Sequence, residues 1–188
     1  MKHSQFFVAL AIFTACASAS AQNYPNKPIR IIVPLAAGGT GDVLGRLAAD
    51  TLAAAFNQQV VVDNRPGANG IIGTDLVAKA TPDGYTLASA STGNVVINPA
   101  LFGSKLPFNA ERDLVPITQI ATGTSVVITH PSFGPKTIPE LIALAKAKPG
   151  TINYASSGIG SAVHLGTALF ESMAAIRMTH VVYKGSTP

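Results

Sequence analysis

Two glycine-rich loops are the parts of this 188-residue sequence whose composition could do chemistry. Each lies between an apolar run and a helical pattern: Gly38, Gly39, Thr40 and Gly41 form the first, and Ser156, Ser157, Gly158, Gly160 and Ser161 belong to the second. Glycine allows backbone N–H groups to approach a ligand closely, and the helix that follows points its positive end at the same place. Anions are the natural ligands of such loops. The two loops therefore predict two cradles of carboxylate size.

The same glycines admit two other interpretations. They could serve only to form tight turns, although their occurrence in two corresponding places favours a shared function. Alternatively, Gly39, Gly41 and Gly45 open a helix after a strand, and Asp63 ends the next strand, as in a dinucleotide-binding fold. The spacing is GxGxxxG instead of the GxGxxG fingerprint. This departure weakens the dinucleotide interpretation without removing it.

Further polar side chains lie beyond the carboxyl ends of predicted strands, where ligands collect in open parallel sheets. Ser91, Thr92 and Asn94 follow the third predicted strand, where at least one of them could contact the ligand or all three could serve to form a turn. His164 falls in the first turn of the helix after the second loop, where its ring could face the ligand or pack. The sequence has no HxH, HExxH or GxSxG pattern, so it predicts binding without a metal, a cofactor or a nucleophilic serine.

The elements that must position these residues follow from the hydrophobic pattern. Ile29 to Val33 is a continuous β-branched run bounded by prolines, which indicates a buried parallel strand. Helices are predicted for residues 42–56 and 71–80, and further strands for residues 60–62 and 86–90. Strands that alternate with helices predict a parallel sheet wrapped by helices, because parallel neighbours need crossover connections.

A second unit of the same kind follows in the sequence. Thr137 and Glu140 have the spacing of a capping box, which marks the start of a helix. The predicted strands cover residues 115–120, 125–129, 152–155 and 180–183, and the predicted helices cover residues 137–148 and 162–173. We therefore expect a first α/β lobe over residues 22–112 and a second over residues 113–188.

The N-terminal residues and the charge bear on where the protein works. Lys2 precedes an apolar run that ends near Ala19 and Ala21, which indicates an export signal over residues 1–21, cleavage near Ala21 and a periplasmic protein. Cys16 leaves lipidation open as an alternative. The net charge is +4 with lysine and arginine scattered along the chain, which gives no support to nucleic-acid binding. Export also disfavours a nicotinamide enzyme.

Several motifs occur in one order along the chain. They are YPNKPIRIIVPLAAGGTGDVLGR, VVVDNRPGANGIIGTDLVAKATPDGYTL, NPALF, and NYASSGIGSAVHLGTALF followed by HVVYKGSTP. Together they resemble the Bug receptors of the tripartite tricarboxylate transporters. The resemblance implies an α/β fold of the periplasmic binding protein-like type II, in which two lobes with mainly parallel sheets close on a small carboxylated ligand.

By position, the resemblance also implies ligand contacts from both loops. They are Ala37, Gly38, Gly39, Thr40 and Asp42 in the first lobe, and Ser156, Ser157, Gly158 and Ser161 in the second. Ser91 and Thr92 would form a side wall. Leu35 and Ala36 stand where the family usually has an aromatic residue and a proline, which is expected to change the shape of the pocket and the choice of ligand.

The implied function is that of a monomeric receptor and not of an enzyme. It would hand a tricarboxylate, dicarboxylate, amino acid or aromatic acid to the membrane permease subunits of a transporter, with a sensory or scaffold role as the alternative. Relatives continue beyond the YKGS segment into further elements, so the second lobe is expected to be incomplete. A chain of this length is expected to be unstable or to aggregate, and to bind little ligand, because apolar surface and sheet edges stay uncovered.

Overall fold

The first half of the chain forms the predicted parallel sheet around one buried strand. The computed structural model describes residues 24–183, so the predicted export signal and the last five residues lie outside it. Strand β1 (Ile29–Val33) lies between β2 (Val60–Asn64) and β3 (Thr86–Ala88), and both pairs are parallel. Four of the five residues of β1 are buried, which agrees with its continuous β-branched run. The carboxyl ends of the three parallel strands therefore lie at the same edge of the sheet.

The helices pack closely against this sheet because the residues at the contact are small. Helix α1 (Thr40–Phe56) begins two residues before the predicted start, and its buried Gly45 and Ala49 face β1. A methyl group added to Gly45 would lie 2.8 Å from Cγ2 of Val33, so the backbones approach closely. Helix α2 (Ile71–Ala78) follows β2 and ends two residues before the predicted end. The helices α3 (Asn98–Phe102) and α4 (Ala110–Asp113) are short, and a π-helical turn, Gly93–Ile97, leads into α3.

The second half repeats the strand, loop and helix arrangement on a smaller scale. Helix α5 (Ile138–Ala147), strand β4 (Asn153–Ser156), helix α6 (Ala162–Ala174) and strand β5 (Thr179–Val182) follow one another, and β4 and β5 pair in parallel. A separate buried core forms between α5 and the start of β4. It consists of Leu141 and Ala145 on α5 and of Ile152 just before β4. The predicted elements from residue 137 onwards are therefore confirmed, with shifts of one residue at most of their ends.

The strands predicted at residues 115–120 and 125–129 are wrong. The structure has no regular secondary structure between Leu114 and His130, and Val115 and Ile128 are 87% and 84% exposed. A β-branched run favours an extended backbone but becomes a strand only when a neighbour accepts its hydrogen bonds. Within residues 24–183, neither run has such a neighbour.

The division of the chain into lobes stays a prediction. The expected boundary between residues 112 and 113 falls inside α4, so that helix spans it. Each of the two sheets has its own buried cluster. Over residues 24–183, none of the helices combines the length and the apolar character that a bilayer crossing requires.

Candidate functional site

The first glycine loop follows β1 and leads into α1. Gly38 has a positive φ of 81°, and its N–H donates to Oδ2 of Asp42 over 2.9 Å. Gly39 is the N-cap of α1 and is buried, whereas Ala37 and Thr40 are exposed at the surface of the loop. The N–H groups in the first turn of a helix have no partner inside the helix. Thr40 and Gly41 therefore offer the donors with which this loop could hold an anion.

Asp42 braces this loop from inside. It is only 4% exposed, and its Oδ2 accepts from Gly38 N and, over 3.1 Å, from Nε of Arg46. Its Oδ1 accepts from Nδ2 of Asn64 over 3.0 Å. These donors, above all the Gly38 amide, lower the pKa of Asp42 to about 2, although burial acts in the opposite direction. The sequence predicted a ligand contact here, whereas the contacts of the carboxylate favour a supporting role.

The second glycine loop also turns several of its own amides inward. Gly158 N donates to Oγ of Ser156 over 3.2 Å, and Gly160 N donates to Nδ1 of His164 over 3.2 Å. Ser161 N donates to the carbonyl of Gly158, and the Ser161 hydroxyl caps α6 by accepting from His164 N over 3.2 Å. The Gly158 amide, predicted as part of an anion cradle, is thus already used.

The donors that remain at the second loop lie at its outer side. Ser157 is half-buried, and Ala162 and Val163 occupy the first turn of α6, where their N–H groups have no intrahelical partner. Ser161 is buried, and its hydroxyl keeps a proton to donate because its helix-capping bond uses only a lone pair. A carboxylate placed over the start of α6 would meet these groups.

A cluster of three asparagines lies in the first half where the second glycine loop approaches it; the sequence singles out only Asn94, as a possible ligand contact. Nδ2 of Asn94 and Nδ2 of Asn98 donate to the carbonyl of Asn69 over 3.0 and 3.1 Å, and Nδ2 of Asn69 donates to Oδ1 of Asn98 over 2.9 Å. Asn94 and Asn98 are 1% and 0% exposed. Their spacing of four residues on one helical face between apolar neighbours was the signal available in the sequence.

The second glycine loop rests on this cluster. A methyl group added to Gly158 would lie 3.2 Å from Oδ1 of Asn69, and one added to Gly160 would lie 3.3 Å from Nδ2 of Asn69 and 2.9 Å from Cδ1 of Leu101. The absence of side chains at these two positions therefore permits the contact. Loops from both sheets converge on Asn69, beyond the carboxyl ends of their strands.

Asn69 belongs to an unusual run of backbone conformations. Gly67, Ala68, Asn69 and Gly70 all have positive φ angles, of 131°, 47°, 53° and 82°. Such a conformation costs little for glycine and more for residues with a Cβ. Buried hydrogen bonds to the Asn69 carbonyl stabilise the run.

The predicted side wall is present but partly occupied. Ser91 N and Ser91 Oγ both donate to Oδ1 of Asn94, each over 2.9 Å, which orders the segment after β3. Ser91 and Thr92 are both exposed. The oxygen of Ser91 keeps a lone pair for a ligand, but its proton is used inside the protein.

His164 lies behind the second loop. Its ring is half-buried and stacks on the ring of His180, with the two centroids 4.4 Å apart. Because Nδ1 already accepts from the loop and one ring face is covered, the predicted ligand contact would have to come from the remaining edge of the ring.

Asp63, on which the dinucleotide interpretation depends, is paired with two guanidinium groups. Oδ2 of Asp63 accepts from Nε of Arg30 over 2.9 Å, and Oδ1 lies 3.0 Å from Nε of Arg65. The hydrogen bond from Arg30 contributes most to lowering the pKa of Asp63. The carboxylate that would have bound a ribose is thus engaged in the protein.

Comparisons with known proteins agree with this architecture. A family model described as the tripartite tricarboxylate transporter family receptor matches residues 44–188. A UPF0065 protein in the tcbD-tcbE intergenic region of Pseudomonas sp. strain P51 is 39% identical, over 96% of this chain and 54% of its own length. Protein BugT of Bordetella pertussis is 38% identical, over 100% of this chain and 59% of its own length. The chain therefore spans slightly more than half the length of these relatives.

Solved structures show the same fold. One described as a periplasmic transporter has a TM-score of 0.84 at 38% identity, covering 88% of this chain and 55% of its own. Rpa4515 of R. palustris, solved with adipate, has a TM-score of 0.78 at 32% identity with the same two coverages. MatC of Rhodopseudomonas palustris, with bound malate, has a TM-score of 0.75 at 26% identity, covering 87% and 55%.

These matches confirm the predicted α/β fold of the periplasmic binding protein type and the predicted resemblance. The family model covers well over half of the chain, and the relatives align along nearly all of it. The chain belongs to the tripartite tricarboxylate transporter receptor family.

Proposed function

We propose that this chain carries the ligand-binding loops of a periplasmic receptor for a small carboxylate, exported by its N-terminal signal. The observation that carries the proposal is the pair of helix starts, α1 and α6, each preceded by a glycine loop and each with first-turn N–H donors at Thr40, Gly41, Ala162 and Val163. A negative group gains from the positive end of a helix as well as from these hydrogen bonds.

The polar groups around the loops fit binding better than chemistry. The donors named above are neutral hydroxyl and amide groups, and Asp42 and Asp63 are already held by cationic partners. Both cradles therefore present donors to a ligand without presenting a competing carboxylate. Two cradles suit a ligand with a carboxylate at each end, which agrees with the adipate and malate bound by two structural neighbours. Delivery to permease subunits is the role that the family suggests, and we expect the chain to act as a monomer without catalytic activity.

Thermal unfolding of the full chain with and without dicarboxylates tests this proposal. Because a chain of this length is expected to bind weakly, adipate and malate are added in large excess. They should then raise the midpoint at pH 7.5, because a ligand at about 100 times its Kd stabilises the folded state by about 2.7 kcal/mol. Adipamide and malamide are the matched controls, since they keep the shape and remove the charge.

Two outcomes of this unfolding experiment would contradict carboxylate recognition. A cooperative unfolding transition that neither dicarboxylate shifts, or that the diamides shift equally, would show that the loops do not recognise carboxylates. Binding of a monocarboxylate alone would keep the receptor proposal but remove the two-cradle arrangement.

A further inference from the structure

Three stacked rings lie behind the second glycine loop. Tyr154 on β4 and His180 on β5 are directly opposite each other in the sheet, with ring centroids 4.8 Å apart and planes at 9°. His164 on α6 covers the other face of His180, at 4.4 Å and 15°. All three residues are half-buried. Two imidazoles in this position are not explained by the binding role proposed above.

Both imidazoles hold the loop through hydrogen bonds. Nδ1 of His164 accepts from Gly160 N over 3.2 Å, and Nε2 of His180 lies 2.6 Å from Oγ of Ser156. Ser156 Oγ accepts from Gly158 N and lies 3.1 Å from the carbonyl of Gly158, to which only the hydroxyl can donate. The single serine proton is therefore used on Gly158. We assign the proton between Ser156 and His180 to Nε2, which makes His180 a donor.

The bond to Gly160 requires an unprotonated Nδ1 on His164. A proton at that atom turns the acceptor into a donor, which then faces the N–H of Gly160. A carboxylate in the same position would keep its acceptor oxygens in mild acid, whereas an imidazole that gains a proton has no free lone pair left.

The same bond occurs at two other helices, with carboxylates as acceptors. Gly38 N donates to Asp42 over 2.9 Å at α1, and Lys136 N donates to Oε2 of Glu140 over 2.7 Å at α5. In all three helices the acceptor is the third helical residue, and the donor is the residue before the N-cap. Only α6 has an imidazole as the acceptor.

The surroundings of His180 oppose a second charge. Burial lowers the pKa of His180 most, His164 lowers it further, and Glu171 on α6 acts in the opposite direction. Tyr154, on the other face, stays neutral because burial raises the pKa of its phenol. Two cations with ring centres 4.4 Å apart would repel each other strongly at a partly buried site.

We propose that the stacked pair of His164 and His180 is a pH-sensitive support of the second glycine loop, which releases the Gly160 amide when Nδ1 of His164 gains a proton. The loop then loses the geometry with which it would hold a carboxylate. This consequence for binding rests on the proposed function, whereas release of the amide does not.

NMR titration of the full ¹⁵N-labelled chain without ligand, from pH 7.5 to 5, tests the proposal. The amide signal of Gly160 should shift with the same midpoint as the imidazole of His164. The amide of Gly38 is the internal control and should stay unchanged over this range, because it donates to the Asp42 carboxylate, whose pKa is lowered to about 2.

Two variants sharpen the experiment. His164→Asn keeps an acceptor near the position of Nδ1 and cannot titrate, so the Gly160 shift should disappear. His130→Asn, at an exposed histidine that accepts from Ser132 N in another part of the chain, should leave the shift intact. If His164→Asn does not fold, the midpoint in the unaltered chain decides alone.

Binding of malate or adipate provides the second readout. Affinity at pH 7.5 should exceed affinity at pH 5, and His164→Asn should remove most of the difference. Absence of binding at pH 7.5 would contradict the proposed function and leave the amide result standing. A Gly160 amide that does not titrate, or tighter binding at pH 5 through attraction to an imidazolium, would overturn the pH-sensitive support.

Discussion

At the scale of single residues, the buried carboxylate of Asp42 holds the first glycine loop in place through internal hydrogen bonds. Its contacts reach the loop at Gly38, its own helix at Arg46 and the end of β2 at Asn64. One side chain thereby ties the loop and its helix to the end of β2, which comes 22 residues later in the sequence. The geometry of the first glycine loop depends on this charge being present.

Replacing Asp42 by Asn should destabilise the chain at pH 7 by about 2 kcal/mol, because the lowering of the pKa from 3.8 to about 2 measures how strongly the fold prefers the charged form. Urea unfolding measures the change. Asp50→Asn, at an exposed position on the same helix, is the control and should have little effect. Equal stability of the two variants would contradict the supporting role.

The same shift of the Asp42 pKa gives a pH dependence with a definite sign. The unfolded chain binds the proton at a higher pH than the folded chain does, so the contribution of Asp42 is complete above pH 3.8 and is lost as the pH falls towards about 2. His180 acts at higher pH, because its lowered pKa makes the folded chain less stable as the pH falls below the ordinary value of 6.5.

The sequence located both glycine loops but not the direction of their amides. The sequence predicts that both loops cradle an anion, whereas the amides of Gly38 and Gly160 each donate to a side chain four residues later. That spacing is visible in the sequence. The asparagine cluster was harder to predict, because Asn69 meets Asn94 and Asn98 only after two crossovers bring the ends of β2 and β3 together.

At the scale of elements, the hydrophobic pattern predicts a helix or strand correctly where the element has a neighbour to pair with or a residue that caps it. β1 is a β-branched run with neighbours on both sides, and the helix α5 begins at a capping residue, Thr137, that accepts from Glu140 N. The run at residues 115–120 has a similar composition and yet forms no strand. Composition indicates a tendency to pair, but the pairing itself depends on a neighbour elsewhere in the chain.

Close packing of α1 on the sheet gives a prediction for two glycines. Gly45→Ala should destabilise the chain by about 1–3 kcal/mol, because the new methyl group would lie 2.8 Å from Val33 in a packed core. Gly166→Ala on α6 is the matched control, since nothing lies within 4 Å of its added methyl group. It should stabilise the chain by about 0.5–1 kcal/mol through helix propensity.

Thermal unfolding of both variants checks the prediction. An equal gain in stability for Gly45→Ala would mean that α1 can move away from β1 at little cost.

At the scale of the whole molecule, the contact between the two halves depends on few groups. The carbonyl of Asn69 accepts from Asn94 and Asn98 within the first half, and its side chain lies against the second glycine loop. These few hydrogen bonds and close approaches order the second glycine loop against the first half.

Asn69→Gly should loosen this junction while preserving the backbone. Glycine accepts the positive φ of 53°, but the buried Oδ1 of Asn98 loses its donor, which costs about 1–3 kcal/mol. Hydrogen exchange at residues 156–161 should become faster, because the side chain that covers Gly158 and Gly160 is gone.

Asn57→Gly provides the matched control, since Asn57 also has a positive φ, of 48°, but is exposed at the end of α1. It should change neither stability nor exchange at the second loop by much. Unchanged exchange at residues 156–161 in Asn69→Gly would show that the loop is held by other contacts.

The run of positive φ angles from Gly67 to Gly70 has a consequence for how this protein could diversify. A methyl group at Gly67 would lie 2.6 Å from Cδ1 of Ile72, and one at Gly70 would lie 2.1 Å from Nδ2 of Asn94. Residues with a Cβ are therefore disfavoured at both glycines. Leu35, whose side chain lies over Gly41, is under no such backbone constraint. Substitutions can thus be accepted more easily at Leu35 than at Gly67 or Gly70.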